Sequence, residues 1–410
     1  MSKEDIIFKY IEDEAKRQRE GIELIASENY VSENVLKAMG SILTNKYSEG
    51  YAGKRYYGGN EYVDDIEREC ISRAKELFKA EHVNVQPYSG SPANLAVHYA
   101  FLKPGEKTMG MDLSAGGHLT HGFKVSLTGK YFDSVSYGVN REGYIDYNEV
   151  RKIAKEHKPK LIWSGFTAYS RIVDWNEFRK IADEVGAILV ADIAHVAGLI
   201  VGGEYPSPVD IADVVTTTTH KTLRGPRGAM IMCKEEYAED IDKAVFPGLQ
   251  GGPHNHVTAG IAVALEEAST KEFKEYIKQV VKNSRVLSDA LIDRGFTIVS
   301  GGTDNHLFLI DTVKSVDMGG QEVSDMLEKI GITLNKNSIP FDERKPWDPS
   351  GVRIGTPAIT TRGMKESEMV KVAEYIDRLL RDSSEKNIEL IKREIEEFTE
   401  DFPIPGIDNL

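Results

Sequence analysis

A regular alternation of apolar, strand-like runs with amphipathic helical segments, between about residues 65 and 260, constrains the fold more than any other feature of this sequence. The runs are Val83-Asn84-Val85, Leu161-Ile162-Trp163, Ile188-Leu189-Val190, Val214-Val215 and Met230-Ile231-Met232. Such alternation predicts an α/β fold with a mostly parallel, doubly wound sheet. Ligands of these sheets bind beyond the carboxyl ends of the strands.

The length of 410 residues is too great for one ordinary core, so two domains are expected. Residues 1–40 read as a helical arm, because Ile6, Ile7, Tyr10 and Ile11 form an apolar stripe with helical spacing. The apolar stripe of such a helix must pack against another protein surface, and a partner subunit is one candidate for that surface. Residues 41–265 are predicted to form the large α/β domain and residues 266–410 a smaller α+β domain.

The smaller domain is predicted from a change of pattern near Gln250-Gly251-Gly252-Pro253. A long helical region follows, from Val257 to about Arg294, and then strands such as Phe296–Val299 and Leu307–Ile310. The final helix is predicted to begin after Ser384 and to carry its apolar face on Ile388, Ile391, Ile395 and Phe398.

Composition excludes several classes of protein. The net charge of -14 makes nucleic-acid binding unlikely, because that requires a basic face. No apolar run approaches the about 20 residues of a membrane span, and no signal peptide is evident. Cys70 and Cys233 are the only cysteines, which fits a cytoplasmic protein without a disulfide framework.

The strongest chemical signal is Thr216-Thr217-Thr218-Thr219-His220-Lys221, which follows a predicted strand. A poorly solvated lysine has a lowered pKa and acts as a nucleophile. Asp192 ends the preceding apolar run Ala187–Ala191 and could serve as a counter-ion to a pyridinium nitrogen. A Schiff-base lysine and a pyridinium partner are the two protein groups that pyridoxal phosphate requires. A solvated lysine at a strand end remains the alternative at this point.

Three further segments could complete such a site. Tyr88–Asn94 reads as a strand-to-helix turn whose Gly90, Ser91 and helix N-terminus suit a phosphate. Gly116–Gly122 contains two histidines, either of which could stack on a planar ring, while no third ligand sits at a spacing that suggests a metal. His195 lies three residues after Asp192, although a lone histidine there is more often part of the core.

Two other segments suit the substrates of such a site. Tyr47–Gly59 holds four tyrosines, four glycines and Glu49, so it could stack a flat ligand and supply an acid or base, or could be a surface turn. Arg353 stands among small residues in Ser350–Pro357, where its guanidinium could bind a carboxylate or face solvent.

With these motifs in place, the sequence resembles the serine hydroxymethyltransferase family. The resemblance runs from Glu23–Tyr30 to Arg353–Ala358. Its most specific segments are Val215–Lys221, Gly225–Gly228, Tyr56–Gly59, Val245–Gly248 and Asn335–Ser338.

The resemblance implies an aspartate-aminotransferase-like fold (fold type I) with a seven-stranded sheet. It also implies a homodimer, or a dimer of dimers, whose active sites are shared across the interface. The implied reaction is the reversible conversion of L-serine and tetrahydrofolate to glycine and 5,10-methylenetetrahydrofolate, through an aldimine of pyridoxal phosphate on Lys221. Aldol cleavage of β-hydroxy amino acids is implied as a side activity.

The roles that the resemblance implies fall into four groups. The catalytic residues are Lys221, Glu49, Asp192, His118 and Thr218. The cofactor-binding residues are Gly90, Ser91, His118, Thr167, Asp192, His195, His220 and Lys221, with Tyr47 and Gly252 supplied by the partner subunit. The amino-acid substrate is bound by Ser27, Tyr57, His195 and Arg353. The folate is bound by Glu49, Tyr56, Tyr57, Leu113, Gly117, Leu119, Asn337, Lys345, Pro346 and Trp347. No metal is implied.

The sequence departs from the family pattern at several positions without removing a catalytic group. Tyr88 replaces a common His, Thr167 replaces a Ser, and Lys345-Pro346-Trp347 stands where Ser-Pro-Phe often lines the folate tail. Threonine aldolase is an alternative with the same chemistry, but it lacks the folate loop. An aminotransferase would carry an arginine for a second carboxylate, which is not evident. RNA binding is left as a second role.

Overall fold

The computed structural model describes residues 5–407 of the chain. Its strands, in chain order, are β1 Ile22–Glu23, β2 Gly50–Tyr51, β3 Lys54–Arg55, β4 His82–Asn84, β5 Lys107–Met111, β6 Asp133–Tyr137, β7 Leu161–Gly165, β8 Ile188–Asp192, β9 Val214–Thr218, β10 Ala229–Cys233, β11 Thr297–Ile298, β12 Leu307–Asp311, β13 Ile332–Thr333, β14 Asn335–Asn337 and β15 Gly351–Gly355.

The α-helices are α1 Ile6–Glu20, α2 Glu33–Met39, α3 Glu61–Phe78, α4 Gly90–Phe101, α5 Leu127–Tyr131, α6 Tyr147–His157, α7 Trp175–Val185, α8 Ala197–Gly202, α9 Ala238–Lys243, α10 Asn255–Ala268, α11 Lys271–Ile292, α12 Thr312–Val316, α13 Gly320–Lys329, α14 Pro357–Thr361, α15 Glu366–Arg381 and α16 Glu385–Glu400. Short 3₁₀ turns occur at Ile42–Asn45, Leu113–Ala115, Leu119–His121, Glu235–Tyr237 and Val299–Gly301. None of the helices within residues 5–407 is both long and apolar enough to cross a membrane.

The chain divides into two compact units. One, here called the large unit, is Asn34–Lys278. The other, called the small unit, joins the residues up to Glu33 with those from Gln279 onward. The division into an arm and two domains at residues 40 and 265 stays a prediction.

The large unit contains a seven-stranded sheet with the strand order β4-β10-β9-β8-β7-β5-β6. From β9 to β6 the neighbours run parallel. β10 is antiparallel to both β9 and β4. The α/β class and the mostly parallel sheet are therefore confirmed. The alternation did not reveal β5 and β6, because Lys107, Thr108, Asp133, Ser134 and Ser136 make those strands polar.

The register of the parallel strands brings their carboxyl ends to one edge of the sheet. Gly165 at the end of β7 pairs with Asp192 at the end of β8. Asp192 in turn pairs with Thr216 near the end of β9. Beneath this edge, a core cluster buries Trp163 and Val190 of the sheet against Val97 of α4. The packing of α4 on the sheet therefore holds the carboxyl edge in place, and ligands bind at this edge in folds of this type.

The small unit has its own antiparallel sheet, with the order β11-β12-β15-β14, and a parallel pair of β1 with β13. Its core packs the apolar faces of α13, α15 and α16 against this sheet. The helix α16 begins after Ser384 and buries Ile391 and Ile395, as the sequence predicts. Ile388 and Phe398 are half-buried against the same core.

One of the helical predictions was wrong in extent. The helix predicted over residues 1–40, of which residues 1–4 lie outside the described part, is interrupted. Helix α1 ends at Glu20, because Ile22 donates its backbone N–H to Gly331 and begins a strand paired with β13. The helical region predicted from Val257 to about Arg294 is confirmed, and it consists of two helices, α10 and α11, separated between Ala268 and Lys271.

Candidate active site

The carboxylate of Asp192 is the centre of a buried polar cluster at the carboxyl end of β8. Its Oδ1 accepts the backbone N–H of Ala194 at 3.0 Å. Its Oδ2 lies 2.9 Å from Asn94 Nδ2 and 2.9 Å from His121 Nε2, and both groups donate to it. Burial opposes ionisation, but these hydrogen bonds and nearby cationic groups outweigh it and hold the pKa of Asp192 well below its usual range. Asp192 is therefore a carboxylate at neutral pH.

The neighbouring strand approaches the backbone of Asp192 closely at a glycine. Gly165 has a φ of +129°, which L side chains rarely adopt. A Cβ at Gly165 would also lie 2.2 Å from the carbonyl oxygen of Asp192. The close pairing of β7 with β8 at this point therefore requires glycine.

His118 joins the same cluster as a neutral imidazole. Its Nδ1 accepts the backbone N–H of Thr120 at 3.3 Å and lies 2.7 Å from the Thr120 hydroxyl. Because Nδ1 is an acceptor, the ring proton is on Nε2. Burial is the main cause that lowers the pKa of His118 to about 4. The Thr120 hydroxyl also accepts Asn94 Nδ2 at 2.8 Å, which connects His118 to Asp192 through two polar side chains.

Lys221 follows β9 through a tight connection. The preceding threonines are buried, and Thr219 fastens the connection. The Thr219 N–H donates to the Gly228 carbonyl at 3.1 Å, and the Thr219 hydroxyl donates to the Pro226 carbonyl at 2.6 Å. The half-buried Lys221 therefore follows the same sheet edge as Asp192, on the adjacent strand.

A helix N-terminus lies at this edge. α4 begins at Gly90, where an added Cβ would be 2.7 Å from Thr218 Cγ2, so the missing side chain lets the helix approach β9. The first N–H groups of α4, with the Ser91 hydroxyl, suit an anion. Two residues after Thr218, burial and nearby cations lower the pKa of His220 to about 3. The buried Nδ1 of His220 has no hydrogen-bond partner among residues 5–407.

Thr167 and His195 lie on the connections that follow β7 and β8, and Thr218 is the last residue of β9. The Thr167 N–H donates to the Gly116 carbonyl at 2.7 Å, which fastens the histidine-containing loop to the end of β7. His195 is buried, and its carbonyl accepts the Thr222 hydroxyl at 3.0 Å. The first bond therefore joins the loops after β5 and β7, and the second joins the loops after β8 and β9.

The tyrosine-rich segment forms a second cluster in the large unit, here called the tyrosine cluster and comprising Tyr47, Glu49, Tyr57 and Gly252. The Tyr47 hydroxyl donates to Glu49 Oε1 at 3.3 Å, and the ring of Tyr47 meets that of Tyr57 edge-on at 5.0 Å. A Cβ at Gly252 would lie 3.4 Å from the Tyr47 ring. Tyr47 is 55% exposed and Tyr57 49%, so most of this aromatic surface faces outward.

A buried arginine shapes the backbone on both sides of Glu49. Arg55 Nη1 donates to the carbonyls of Ser48 at 2.9 Å and Gly50 at 2.6 Å. Its Nε pairs with Asp64 at 2.8 Å, and its Nη2 lies 3.0 Å from a carboxylate oxygen of Glu67. The loop that presents Glu49 is therefore held firmly although its side chains are exposed.

The remaining folate positions of the large unit lie on two 3₁₀ turns near His118. Leu113 begins one turn, and Leu119, which is 47% exposed, begins the other. Between them, Gly117 passes so close to β5 that a Cβ would be 2.0 Å from the Met111 carbonyl oxygen. Tyr56 belongs to the tyrosine-rich segment and is 75% exposed.

In the small unit, Arg353 lies at the centre of β15. Its Nε donates to Asn335 Oδ1 at 3.0 Å, and its Nη2 lies 3.5 Å from the Ser27 hydroxyl. Only 5% of Arg353 is exposed, and burial lowers the pKa of its guanidinium to about 10. The structure thus brings together Ser27 and Arg353, two of the predicted amino-acid-binding residues.

The other predicted folate residues of the small unit lie on and after β14. Asn337 ends that strand, while Lys345 and Trp347 lie on the exposed segment that follows. The ammonium of Lys345 lies 5.1 Å from the centre of the Trp347 ring, and Pro346 stands between these two residues in sequence. The Trp347 carbonyl accepts Lys336 Nζ at 2.8 Å, which fastens the segment to β14.

Comparison with known proteins assigns the chain to a family. A family model described as Serine hydroxymethyltransferase matches residues 1–376. The chain is 58% identical over 405 residues to the serine hydroxymethyltransferase of Desulfotalea psychrophila, covering 98% of this chain and 95% of that one. The enzyme of the same name from Acidothermus cellulolyticus is 55% identical over 403 residues, covering 96% and 94%. That of Sorangium cellulosum is 58% identical over 397 residues, covering 96% and 93%.

The chain belongs to the serine hydroxymethyltransferase family. This is a family of transferases of fold type I, which use pyridoxal phosphate on a lysine and tetrahydrofolate as co-substrate. The seven-stranded, mostly parallel sheet agrees with that fold.

The residues at the sheet edge fit pyridoxal phosphate. The ionised carboxylate of Asp192 suits a protonated ring nitrogen. The start of α4 at Gly90 suits a phosphate, and the unpaired, buried Nδ1 of His220 is the kind of polar atom that a ligand would satisfy. When bound, the cofactor would be held by these groups and by Lys221.

The same edge also contains three groups that could bind a metal ion. Ligand atoms of His118, His121 and Asp192 lie within 4.8 Å of one another. Sequence spacing did not reveal this cluster, because the fold brings a carboxylate from a different strand to the two histidines.

The sequence did not indicate that His121, Asn94 and Thr120 surround Asp192 and His118. The sequence offered His121 only as an alternative to His118 for ring stacking, and the structure gives it another position, bonded to Asp192. Asn94 occupies an ordinary position inside α4, so local sequence carries no sign of its role. Only the packing of α4 on the sheet places its amide beside the carboxylate.

Proposed function

We propose that this chain carries out the family reaction, with Lys221, Asp192 and His118 as the residues that hold the ring of the cofactor. The reaction is the reversible conversion of L-serine and tetrahydrofolate to glycine and 5,10-methylenetetrahydrofolate. The observation that carries the residue assignment is the buried, ionised carboxylate of Asp192, on the strand adjacent to the one that leads to Lys221.

Pyridoxal phosphate supplies electron withdrawal from the α-carbon of the bound amino acid. Lys221 would hold the cofactor through its side-chain amine. Asp192 would keep a proton on the ring nitrogen, because its own pKa is depressed. His118 would lie against the ring as a neutral imidazole, which avoids a second positive charge beside that nitrogen.

Other residues orient the cofactor. Gly90, Ser91 and His220 receive the phosphate. The N-terminus of α4 supplies N–H donors. A bound phosphate would offset the burial that lowers the pKa of His220, so that its Nδ1 gains a proton and donates to the phosphate. Thr167 and His195 lie on the loops that follow β7 and β8, where hydrogen bonds can reach the phenolic oxygen. Thr218, at the end of β9, is the last of the residues that orient the cofactor.

Arg353 and Ser27 receive the amino-acid substrate. A guanidinium binds a carboxylate with two parallel hydrogen bonds, and a bound carboxylate would offset the desolvation that lowers the pKa of Arg353. Ser27 lies within reach of the same guanidinium. Tyr57 and His195 contribute further contacts to serine.

Glu49 transfers protons during the one-carbon step. Its carboxylate sits among exposed aromatic rings, an arrangement that suits a flat pterin and an acid or base beside it. The folate further contacts Tyr56, Leu113, Gly117, Leu119 and Asn337. The segment Lys345-Pro346-Trp347 receives its tail, with one cation and one exposed indole.

Two copies of the chain form the working enzyme, and Tyr47 and Gly252 contact the phosphate in the partner's site. The family is generally oligomeric. The outward-facing rings of the tyrosine cluster support this proposal, as do the exposed apolar residues of α1, Ile6, Ile7, Phe8, Tyr10 and Ile11. A dimer of dimers is a second possible assembly.

Two smaller points belong to the proposal. Aldol cleavage of β-hydroxy amino acids is a side activity, because it needs only the cofactor and amino-acid residues. The location is the cytoplasm, a compartment that fits Cys70 and Cys233 as buried, free thiols.

Borohydride reduction tests the attachment site. The purified protein is expected to absorb visible light, and reduction followed by peptide mapping is expected to leave the pyridoxyl group on Lys221. Lys221→Ala should abolish the label, while Lys243→Ala, an exposed lysine of the same unit, should retain it. Label on a different lysine would refute the assignment.

A further inference from the structure

Behind Asp192 lies a stack of four rings, contributed by the buried His121, Trp163 and His98 and the half-buried Phe132. The rings of His121 and Trp163 are 5.0 Å apart and inclined by 13°. Those of Trp163 and His98 are 4.9 Å apart and inclined by 21°. His98 stacks in turn on Phe132 at 5.2 Å. Trp163 and His98 have no exposed surface.

Hydrogen bonds fix the middle of this stack. Trp163 Nε1 donates to His98 Nε2 at 3.1 Å. An indole N–H is only a donor, so His98 Nε2 is an acceptor and the ring proton is on Nδ1. That nitrogen lies 2.8 Å from the carbonyl oxygen of Asn94 and donates to it. Burial lowers the pKa of His98 to about 4, in agreement with a neutral ring.

The stack and the carboxylate are joined twice. His121, at one end of the stack, donates to Asp192 Oδ2, and the side chain of Asn94 donates to the same oxygen. The backbone of Asn94 accepts from His98. A closed circuit therefore runs from Asp192 through His121, Trp163, His98 and Asn94 back to Asp192.

We propose that Trp163 and His98 are positioning residues for the Asp192 carboxylate. The indole ring, held by its bond to His98, sets the plane of the His121 imidazole and hence the direction of the His121 hydrogen bond. The inference rests on the proposed role of Asp192 as the partner of the cofactor ring nitrogen. Neither residue touches the cofactor, so they act through His121 and Asn94.

The mechanism of this effect is geometric. A carboxylate that accepts two hydrogen bonds on one oxygen has a fixed orientation and a lowered pKa. If the imidazole can tilt, the bond from His121 weakens and the carboxylate turns away from the ring nitrogen. Supporting groups of this kind typically change ligand affinity by about 10- to 100-fold in metal sites.

The test compares Trp163→Phe with Trp175→Phe. Both replacements keep a buried ring and remove one indole N–H. Trp175 is a matched control, because its Nε1 donates to the Pro206 carbonyl at 3.0 Å and it is also buried. For Trp163→Phe we expect the dissociation constant of pyridoxal phosphate to rise about tenfold, the lower end of that range. Trp175→Phe should change it less than about twofold, since the hydrogen bond of Trp175 goes to Pro206 and not to the groups around Asp192.

Two further measurements distinguish a loss of Asp192 positioning from a general loss of protein stability. In Trp163→Phe the visible band of the bound cofactor should shift in the same direction as in Asp192→Asn, by a smaller amount. kcat should fall while the KM for serine is unchanged, because Arg353 is untouched. The double variant Trp163→Phe, His98→Phe removes both polar partners, so it should regain thermal stability and keep the spectral shift.

The outcomes distinguish this inference from the proposed function. If Trp163→Phe lowers the unfolding temperature as Trp175→Phe does and leaves the spectrum and cofactor affinity unchanged, the positioning role is wrong. If Asp192→Asn itself leaves both unchanged, the proposed role of Asp192 fails first. A shift with Asp192→Asn and none with either Trp163 variant refutes only the inference drawn here.

Discussion

The large unit contains two groups of functional side chains that differ in how much the chain itself does to hold them. The Asp192 carboxylate is buried and accepts three hydrogen bonds, from Ala194, Asn94 and His121. In the tyrosine cluster, Tyr47 is 55% exposed and reaches Glu49 through one hydrogen bond of 3.3 Å. Hydrogen bonds within the chain fix the Asp192 side chain. In the tyrosine cluster they fix the backbone, while the Tyr47 side chain stays exposed.

This difference indicates where each group works. A side chain that must present one charge to a cofactor benefits from complete burial, because the protein environment then sets its ionisation. Side chains that receive a large, exchangeable pterin, or that reach into a partner's site, have to remain accessible. We therefore expect changes in the buried group to alter the cofactor, and changes in the tyrosine cluster to alter folate transfer or the partner's site.

The largest effect is expected from Glu49→Gln. It keeps the shape of the side chain and removes the ionisable group, so conversion of serine with tetrahydrofolate should fall about 10²-fold or more. Folate-free cleavage of a β-aryl serine should survive, because that reaction needs only the cofactor and amino-acid residues. Both rates are measured on one preparation, with the exposed Glu61→Gln as the control.

If Glu49→Gln slows the two reactions equally, the proposed difference in role between the buried group and the tyrosine cluster is wrong. Glu49 would then serve the amino-acid site generally, and threonine aldolase would become the stronger model for the chemistry.

A smaller effect, on both reactions alike, is expected from Arg353→Ala. Loss of a charged hydrogen bond to the substrate carboxylate should lower kcat/KM about 10- to 100-fold, mainly through KM. Arg353→Lys keeps the charge and loses the two-pronged geometry, so it should recover only part of the loss. Steady-state kinetics with serine and with the β-aryl serine provide the measurement. An unchanged KM in both would show that Arg353 does not bind the carboxylate.

The smallest effect is expected on the stability of the folded protein in acid. It tests the buried group, because His98 belongs to the stack of rings behind Asp192. Burial lowers the pKa of His98 to about 4 in the folded protein, while an unfolded histidine has a pKa of about 6.5. The unfolded chain therefore binds more protons between these values, and this part of the stability is present above about pH 6.5 and is lost as the pH falls towards 4.

His98→Gln should remove up to about 1.4 kcal/mol per pH unit from the slope of unfolding free energy in that window. Urea unfolding of the cofactor-free protein at several pH values measures the slope. Replacement of His157, an exposed histidine on α6, should leave it unchanged. Equal slopes for wild type and His98→Gln would mean that His98 is not held neutral by burial.

Sequence reasoning predicted the fold well where strands were apolar. Each of the five apolar runs of the alternation falls wholly or mostly on a strand of the sheet. Strands inside such a sheet are covered on both faces, so they read as continuous apolar runs. It failed for β6, an edge strand whose residues are partly exposed, and for β1, whose two residues depend on pairing with β13. Strands that are short or polar are set by distant partners, which local sequence does not report.

Prediction of the candidate site was limited in the same way, because local sequence does not report distant partners. Lys221 and Asp192 could be singled out because each follows a recognisable strand. The position of His118 came only from resemblance to a family, since the local sequence left His118 and His121 equivalent. Trp163 was included in the sequence analysis merely as part of an apolar strand, and its bond to His98 exists because α4 packs on that face of the sheet.

The central claim is that the buried group serves its own site, while Tyr47 of the tyrosine cluster serves the partner's. Complementation in hybrid dimers tests it most directly. Lys221→Ala and Tyr47→Ala chains should each be impaired alone. After mixing and reassembly, half of the dimers are hybrids and each hybrid has one site free of both changes, so about a quarter of wild-type activity should return. Hybrids confirmed by mass that regain no activity would contradict the claim.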